Sequence, residues 1–476
     1  MKTLHSIFSI AVILYAGSIR AVTTYTTTTN GVTWTYTLSS GGVVLGGDDS
    51  NSPTVSKNTS GVIVVPESID GYPVVGVGRY AFYACSKLST IVLPPTLSSI
   101  GHESFYQCEA LQNIVIPDSV KTIDSYSFYD CTSLTNVVLG NGIVSIPDHA
   151  FYRCTSLRQI NIPNGVTAIG NDAFSYCKGL QSVTIPDNVT SLGSYVFNDC
   201  TILTNIVIGK GIKRIPNYAF SDCTSLRWMG IPDNVTAIGD SAFYGCTGLR
   251  SFSVPDSITS LGKSAFRDCS SLTNVVLGCG ITAVADSAFY GCASLRRMVI
   301  PDNVTAIGDS AFYGCTGLQR IFIGTGATII GDSAFYGCTG LQDVTIPKNV
   351  TSIGSKAFYN CKGLREASMP SPPANIGNGA FCGCIGLVDD NGFLIVANRL
   401  FVYQGDNSTA IIPDGVIAID DFAFSGCESL QSVTIPSTVT TIGAYAFAGC
   451  SGLTTMDIPN SVRNIGAGAF SAQFVK

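Results

Sequence analysis

The chain is poor in the side chains that carry charge or acid–base catalysis. Only 12% of its 476 residues are charged, and histidine occurs three times. Lysine and arginine number 26 against 32 aspartates and glutamates, which gives a net charge of −6 at pH 7. Proteins that bind nucleic acid or anionic membranes generally need a basic face. The composition therefore argues against both partners.

Long apolar runs are also missing. The run from Ile7 to Ala16 is too short to cross a bilayer, and no other stretch approaches the required length. Lys2 and His5 precede this run, and small residues lead from it to Ala21. That order is typical of a secretory signal peptide. The sequence thus predicts cleavage near Ala21 and a product that is secreted and extracellular or held at the cell surface.

What the sequence does contain is a repeat. Fourteen cysteines from Cys85 to Cys384 recur every 23 residues, each with a phenylalanine three residues before it and a leucine three residues after it. The same spacing resumes at Cys427 and Cys450. A fixed period of this length indicates an array of stacked structural units.

Within one unit, apolar residues mark a short extended stretch. Leu180, Val183 and Ile185 lie at relative positions 0, 3 and 5, and a proline follows, as is common where a strand ends. A segment such as 240–246 is predicted to form a short helical turn, with an Asp or Ser cap and with Gly245 in a left-handed conformation. One unit has too few apolar residues to close a core, so the array is stable only as a stack.

The consensus of the units resembles the BspA-like leucine-rich repeats and reads L-x-x-V-x-I-P-x-x-V-x-x-I-G-x-x-A-F-x-x-C. The resemblance covers Val62 to Phe470. It implies a curved solenoid on a secreted or surface protein, often one engaged in adhesion or binding, and it implies no catalytic residues. We therefore expect a leucine-rich-repeat solenoid, a β-rich α/β horseshoe of about 17 coils of 23 residues with short strands and short helical turns.

The predicted organisation has five parts. These are a signal peptide at 1–21, an N-terminal β cap at 22–61, regular repeats at 62–387, an inserted hairpin or divergent repeat at 388–412, and terminal repeats at 413–476. Residues 22–61 alternate as strands do, and an adhesive tip is the alternative to a cap. The insert contains two apolar runs around Ala397-Asn-Arg399, which predict a β-hairpin. A divergent coil that packs onto the array is the alternative interpretation.

The 18 cysteines would normally suggest disulfides in a secreted chain. Equivalent residues of successive coils, however, lie about 4.8 Å apart with parallel side-chain directions, which does not suit the dihedral angle of a disulfide. We predict a reduced, buried ladder in which cysteine behaves as a small apolar group. A line of one cysteine per coil also fails to converge on zinc. Cys279 and Cys382 lie outside the ladder and are predicted to be the exposed thiols.

The remaining polar residues suggest neither catalysis nor a cofactor. His102 and His149 lie in the turn before a repeat phenylalanine, and neither has a recognisable nucleophile arrangement around it. The aspartates of the Pro-Asp and Gly-Asp pairs recur with the unit, and we interpret them as turn and cap residues. The sequence predicts a protein that is not an enzyme, with no cofactor, no metal site and no nucleic-acid partner.

A partner would bind at positions that the repeat leaves free. Counted from the repeat leucine these are +1, +2 and +4, and alternation along a strand turns +4 and one of the first two outward. Arginine and aromatic residues are enriched at binding hot spots. They collect at these positions in one stretch: Arg227, Trp228, Arg250, Arg296, Arg297, Arg320 and Phe322. An ordinary solvated surface is the other interpretation of these residues.

Two functions follow from these observations. The first is a non-enzymatic repeat protein that binds a protein or glycan ligand at a cell surface or matrix through its strand face. The second is a structural surface-layer or matrix protein that self-associates. Neither interpretation names a ligand.

Overall fold

The computed structural model describes residues 10–15, 18–47, 53–369, 375–405 and 407–471. The chain forms two compact units, Met1–Leu249 and Arg250–Lys476. The predicted signal peptide at 1–21 lies partly outside the described residues. Its described part belongs to two antiparallel strands, Ile10–Tyr15 (β1) and Ser18–Thr23 (β2).

The other strands of the first unit are short. They are β3 Tyr25–Thr29, β4 Val32–Ser39, β5 Gly42–Leu45, β6 Gly61–Val64, β7 Ser68–Ile69, β8 Tyr72–Val77, β9 Leu88–Val92, β10 Ser99–Ile100, β11 Asn113–Val115, β12 Thr122–Ile123, β13 Asn136–Val138, β14 Ser145–Ile146, β15 Gln159–Asn161, β16 Ala168–Ile169, β17 Ser182–Thr184, β18 Ser191–Leu192, β19 Asn205–Val207, β20 Arg214–Ile215 and β21 Ala237–Ile238.

The second unit repeats the pattern. Its strands are β22 Ser251–Ser253, β23 Ser260–Leu261, β24 Asn274–Val276, β25 Ala283–Val284, β26 Arg297–Val299, β27 Ala306–Ile307, β28 Arg320–Phe322, β29 Ile329–Ile330, β30 Asp343–Thr345, β31 Ser352–Ile353, β32 Glu366–Ser368, β33 Asn375–Ile376, β34 Phe393–Val396, β35 Arg399–Tyr403, β36 Thr409–Ile411, β37 Ala418–Ile419, β38 Ser432–Thr434, β39 Thr441–Ile442 and β40 Asn464–Ile465. A 3₁₀-helix, η1, covers Ile385–Leu387.

Within each unit the strands stack as a β-solenoid. Most regular coils contribute one strand near the leucine and a two-residue strand that ends at the isoleucine of the Ile-Gly pair. These strands pair in parallel with their counterparts in neighbouring coils. In the first unit β6, β9, β11, β13, β15, β17 and β19 form one parallel sheet, and in the second unit β22, β24, β26, β28, β30 and β32 form another. The middle residue of most of these strands is buried and its neighbours face solvent, as alternation requires.

The two irregular segments join the sheets that contain the two-residue strands. The strands β3, β4 and β5 form an antiparallel meander, and β5 pairs in parallel with β8. Trp34 and Tyr36 of the meander are 1% and 3% exposed. In the insert, β34 and β35 pair antiparallel, and β35 pairs in parallel with β37. One arm of a hairpin therefore takes the place of a coil's two-residue strand.

The Ala-Phe-x-x-Cys segments form turns and not the predicted short helical turns. Among the described residues the only helix is η1. Two positions in each segment have positive φ, for example Ser287 at 55° and Gly291 at 70°, and a right-handed helix cannot contain them. The predicted left-handed conformation of Gly245 is present, at φ 67°.

The direction of the turn amides explains the absence of helix. Alternate amides donate to carbonyl groups of the next coil and not within a helix. In one coil these bonds run from Ser287 to Asp309 (2.8 Å), from Phe289 to Ala311 (2.8 Å) and from Gly291 to Tyr313 (2.7 Å). The turns are thereby fixed by the neighbouring coil, which a single unit of sequence does not contain.

The core consists of side-chain ladders that run from coil to coil. Phenylalanine rings stack nearly parallel, with centroids 5.0–5.7 Å apart from Phe82 to Phe243 and 5.0–5.4 Å apart from Phe266 to Phe381. The phenylalanine, leucine and cysteine side chains of the regular coils are almost fully buried. Since each ring contacts the ring above and the ring below, no coil completes this core alone.

Most ladder cysteines also make a specific contact. The thiol of Cys315 donates to the carbonyl oxygen of Phe289 in the preceding coil at 3.1 Å, and the amide of Cys292 donates to the same oxygen. The thiol bond recurs in other coils at 3.0–3.3 Å. Cysteine is thus small enough for the slot and supplies a weak donor to a buried carbonyl group.

All 18 cysteines are free. The predicted burial of the ladder is confirmed except at Cys427, which is half-buried. Burial raises the pKa of the Cys315 thiol to about 12 and that of Cys85 to about 11. Cys279 is exposed as predicted. The prediction that Cys382 is an exposed thiol is wrong, because its side chain is half-buried beside the hairpin and burial raises its pKa to about 12.

Candidate binding surface

The strongest part of the predicted surface lies on two neighbouring strands of the second unit, β26 and β28. In β26, Arg297 and Val299 point outward while Met298 is buried. In β28, Arg320 and Phe322 point outward around buried Ile321. The alternation that the sequence predicted therefore turns relative positions +2 and +4 to solvent.

Parallel pairing places like positions side by side. Arg297 pairs with Arg320, and Val299 pairs with Phe322. The guanidinium of Arg297 lies over the Phe322 ring, 5.0 Å from its centroid, which is within the range of a cation–π contact. Phe322 is nevertheless 48% exposed and Val299 53%. The result is an apolar strip with two guanidinium groups along one edge.

The charged row changes sign beyond Arg320. Asp343 pairs with Arg320, and Glu366 pairs with Asp343 on the next strand. All of these side chains are exposed. Neighbouring strands are about 4.8 Å apart, so two cations and then two anions follow one another within a short distance. We call Arg297, Val299, Arg320, Phe322, Asp343 and Glu366 the strand-face patch.

Arg250 and Arg296 lie at position +1, outside the strands, and both side chains are exposed. Their carbonyl groups are held by the next coil, since Arg250 accepts from the amide of Thr273 at 2.9 Å and Arg296 accepts from that of Gln319 at 2.9 Å. The backbone is fixed while the guanidinium groups remain in solvent. These two arginines belong to the same unit as the strand-face patch.

Arg227 and Trp228 belong to the first unit, where their coil has no strand at this position. Trp228 is 62% exposed. A Cβ added at Gly230 would lie 3.1 Å from the six-membered ring of Trp228, so glycine lets the indole fold over its own backbone. The two residues form an exposed cation and an exposed aromatic group on that unit.

An exposed row that the sequence analysis did not single out also lies on the first unit. Val64, Val92, Val115 and Val138 hold the outward position of neighbouring strands and are 46–58% exposed. Val92, Val115 and Val138 are valines at position +4 of their units, where the next two coils have Asn161 and Thr184. Exposed β-branched side chains on adjacent strands provide an apolar contact surface.

The histidines belong to an aromatic cluster and not to a nucleophile site. The ring of His149 stacks on Tyr126 with centroids 4.5 Å apart, and its Nε2 atom lies 3.7 Å from an Asp172 oxygen. His102 lies 3.3 Å from a Glu103 oxygen. In the described part of the chain, no group of three or more His, Cys, Asp or Glu side chains could hold a metal ion.

The recurring aspartates have a structural role of their own. The carboxylate of Asp302 accepts from the amide of Thr325 at 2.8 Å, and that of Asp309 accepts from the amide of Asp332 at 2.8 Å. Each acceptor and its donor are equivalent positions one coil apart. These aspartates therefore link successive coils. This structural role accounts for their repetition, and neither calcium binding nor catalysis is needed to explain it.

The stacked coils, their leucine and phenylalanine ladders and the outward strand face define a leucine-rich-repeat protein. The model of the BspA type leucine-rich repeat region matches residues 75–204, 200–319, 270–388 and 395–475. The chain belongs to this family, and the predicted family and fold class are confirmed. In the part of the chain that the structure describes, no helix has the length and apolar character needed to span a membrane.

Several solved structures with a related fold come from bacteria. A leucine-rich repeat protein from Bacteroides ovatus has a TM-score of 0.57 and 25% sequence identity, and the match covers 91% of this chain and 98% of that one. A leucine-rich cell surface protein from Faecalibacterium prausnitzii has a TM-score of 0.43 and 25% identity over 73% of this chain and 96% of that one. A comparison with curated proteins gives no match. Membership of this family indicates a repeat protein for protein interaction, in a family that is typically non-enzymatic.

Proposed function

We propose that this chain is a secreted or cell-surface repeat protein without enzymatic activity, which binds a macromolecular partner through the strand-face patch. The observation that carries the proposal is the exposed pair of Arg297 and Phe322, held on adjacent paired strands with a cation–π contact of 5.0 Å. Arginine and aromatic residues held on a rigid sheet lose little conformational freedom on binding, and both are enriched at hot spots.

Charge and shape favour a protein as the partner. The patch offers an apolar strip, two cations and then two anions, all on paired strands of one sheet. A partner with acidic groups beside an apolar or aromatic side chain would complement the first part of the row. The family relationship to proteins for protein interaction points in the same direction. A glycan is the alternative ligand.

A binding screen with matched variants tests this proposal. The full chain is applied to arrays of extracellular proteins, of glycans and of the chain itself, and each ligand found is titrated against Arg297→Ala/Phe322→Ala and against the control Ser253→Ala/Asn274→Ala. The control removes outward side chains from β22 and β24 of the same sheet. Truncating a hot-spot residue costs about 2 kcal/mol or more, so Kd should rise roughly thirtyfold in the first variant alone.

The outcomes of this screen separate the candidates. Equal affinities of both variants and the unaltered chain would remove the strand-face patch as the site. Ligands confined to the glycan array would replace the protein partner with a glycan.

Self-association is the second candidate function, and the exposed row Val64, Val92, Val115 and Val138 favours it. Copies of a chain with an apolar strip on regularly spaced strands can bury that strip against one another. Binding to the chain itself as the sole ligand in the screen would support this candidate.

A further inference from the structure

The regular coils of the second unit show what a turn amide requires. Three amides of each turn donate to three carbonyl groups of the following coil. In the last regular pair these bonds run from Lys356 to Asn378 (3.0 Å), from Phe358 to Ala380 (2.7 Å) and from Asn360 to Cys382 (2.8 Å). The turn at 378–384 has three equivalent amides, those of Gly379, Phe381 and Gly383, which require acceptors in the next element of the chain.

The next element is the arm of the hairpin, β35. Leu400 pairs with Ile419, and the amide of Tyr403 donates to the carbonyl of Ala423 at 2.7 Å. Leu400 and Tyr403 therefore hold the isoleucine and phenylalanine positions of a coil. Two residues lie between Leu400 and Tyr403. Four residues lie between Ile419 and Phe424, which hold the same two positions in the next coil. The arm crosses directly and lacks the outward turn that a regular coil has at this place.

The missing turn leaves the preceding amides without their usual acceptors. The amide of Gly379 donates instead to an Asp420 oxygen at 2.9 Å. Within the described residues of the hairpin, no carbonyl group accepts from the amides of Phe381 or Gly383. A cavity of about 320 Å³ lies at this place, and Cys382, Gly383 and Val402 are among the residues that line it.

Aromatic rings face the cavity from two sides. Tyr359 ends a stack that begins at Tyr290, with centroids 4.6–4.9 Å apart, and Cys382 holds the position where the next ring would lie. Phe422, which is 58% exposed, begins another stack with Tyr445 at 5.4 Å. Both Tyr359 and Phe422 line the cavity, together with Lys356 and Asp421. The wall thus has aromatic surface and one charged group of each sign.

We propose that this cavity binds a turn of a partner protein, which inserts an aromatic side chain between Tyr359 and Phe422 and takes the place of the turn that the hairpin lacks. The peptide carbonyl groups accept from the amides of Phe381 and Gly383. These amides are two residues apart, and in the preceding coil the same pair of positions donates to Ala380 and Cys382, which are also two residues apart. This repeated spacing identifies a peptide backbone as the complementary ligand. The site is separate from the strand-face patch and does not depend on it.

A peptide that copies a regular turn provides the probe. Acetyl-Ser-Ala-Ala-Tyr-Gly-amide copies residues 310–314 with Phe312→Ala, because the core position of that phenylalanine is already filled by the hairpin. Its affinity for the full chain is measured by calorimetry beside a peptide with alanine in place of tyrosine and beside N-acetyltyrosinamide. We expect the tyrosine peptide to bind at least about tenfold more tightly than either comparison compound.

The location of the bound peptide is read from thiol alkylation. Cys382 lines the cavity, whereas Cys279 is exposed elsewhere and serves as the internal control. If the peptide occupies the cavity, a concentration of nine times Kd should slow alkylation of Cys382 about tenfold and leave Cys279 unchanged. Peptide binding without this protection would overturn the proposal, as would the absence of binding.

Two variants complete the test. Val402→Trp fills the cavity and should abolish binding, while the matched Val276→Trp, on an exposed strand position, should not. If Val402→Trp fails to fold, Phe422→Ala removes an exposed wall and should weaken binding about tenfold. Unaltered peptide affinity in folded Val402→Trp or in Phe422→Ala would overturn the proposal. Equal binding of N-acetyltyrosinamide and the peptide would do the same, since the site would then hold a small aromatic molecule and not a turn.

Discussion

Removal of residues 155–177, one complete period of 23, is expected to leave a folded solenoid, whereas removal of residues 155–166 is expected to disrupt it. The complete deletion joins Cys154 to Lys178, and Phe151 then meets Phe197 as it met Phe174. Every ladder keeps its register. The half-period deletion takes Leu157, Ile160, Ile162 and Val166 from the core, all of which are at most 6% exposed.

The magnitudes of the two effects differ widely. Each buried Leu, Ile or Val side chain that leaves the core costs about 1.5–3 kcal/mol, so the half-period deletion loses several such contributions and leaves the adjoining coils without a neighbour. The complete deletion removes one coil's core residues together with the backbone of that coil, so the remaining coils keep their packing. Its urea m value should fall by roughly 5%, in proportion to the surface buried.

Urea unfolding followed by circular dichroism distinguishes the two deletions. The complete deletion should retain a cooperative transition at a similar midpoint. The half-period deletion should show a broad transition or an early first phase. Similar curves for both variants would mean that the 23-residue register does not determine which residues pack together.

Phe289→Ala is expected to produce the largest loss among single substitutions in a regular coil. The ring is fully buried and lies 5.4 Å from Phe266 and 5.3 Å from Phe312. Replacing a buried phenylalanine by alanine typically costs about 3–5 kcal/mol, because the cavity that remains is only partly filled by relaxation. Here two stacking contacts are lost together, since neighbours on both sides depend on the same ring.

The adjacent residue supplies the matched control. Tyr290 stacks on Tyr313 at 4.6 Å, but on the partly exposed outer side of the turn. Tyr290→Ala should therefore cost only about 1–2 kcal/mol. Both values come from urea unfolding at equilibrium. Equal losses in the two variants would contradict the assignment of the phenylalanine ladder as the core of the coil.

The fold could be predicted from sequence because one pattern is repeated many times. Leucine, phenylalanine and cysteine at fixed spacing define which residues face inward, and the structure places them there. The conformation of the turn could not be predicted in the same way. The amide of Phe289 finds its acceptor in Ala311 of the next coil, and local spacing alone does not distinguish that bond from a helical one.

The candidate surfaces were only partly predictable for similar reasons. Alternation identified Arg297 and Phe322 as outward residues, but their cation–π contact depends on parallel pairing between coils. Nothing in the local sequence of Cys382 indicates that a hairpin arm covers it and leaves a cavity beside it. That feature arises from the shorter path of Leu400–Tyr403, which becomes visible only when its register with Ile419 is known.

The central claim is that coils of one kind bury their cysteines as a reduced ladder, and counting reactive thiols tests it most directly. Burial raises the pKa of Cys382 to about 12 and that of Cys427 to about 11, so little reactive thiolate forms at pH 8. Without reductant, the native chain should show Cys279 as its one rapid thiol, with Cys382 and Cys427 slow, and all 18 cysteines should react after unfolding in guanidinium. Rapid reaction of several ladder cysteines, or fewer than 18 thiols in the unfolded chain, would contradict the account.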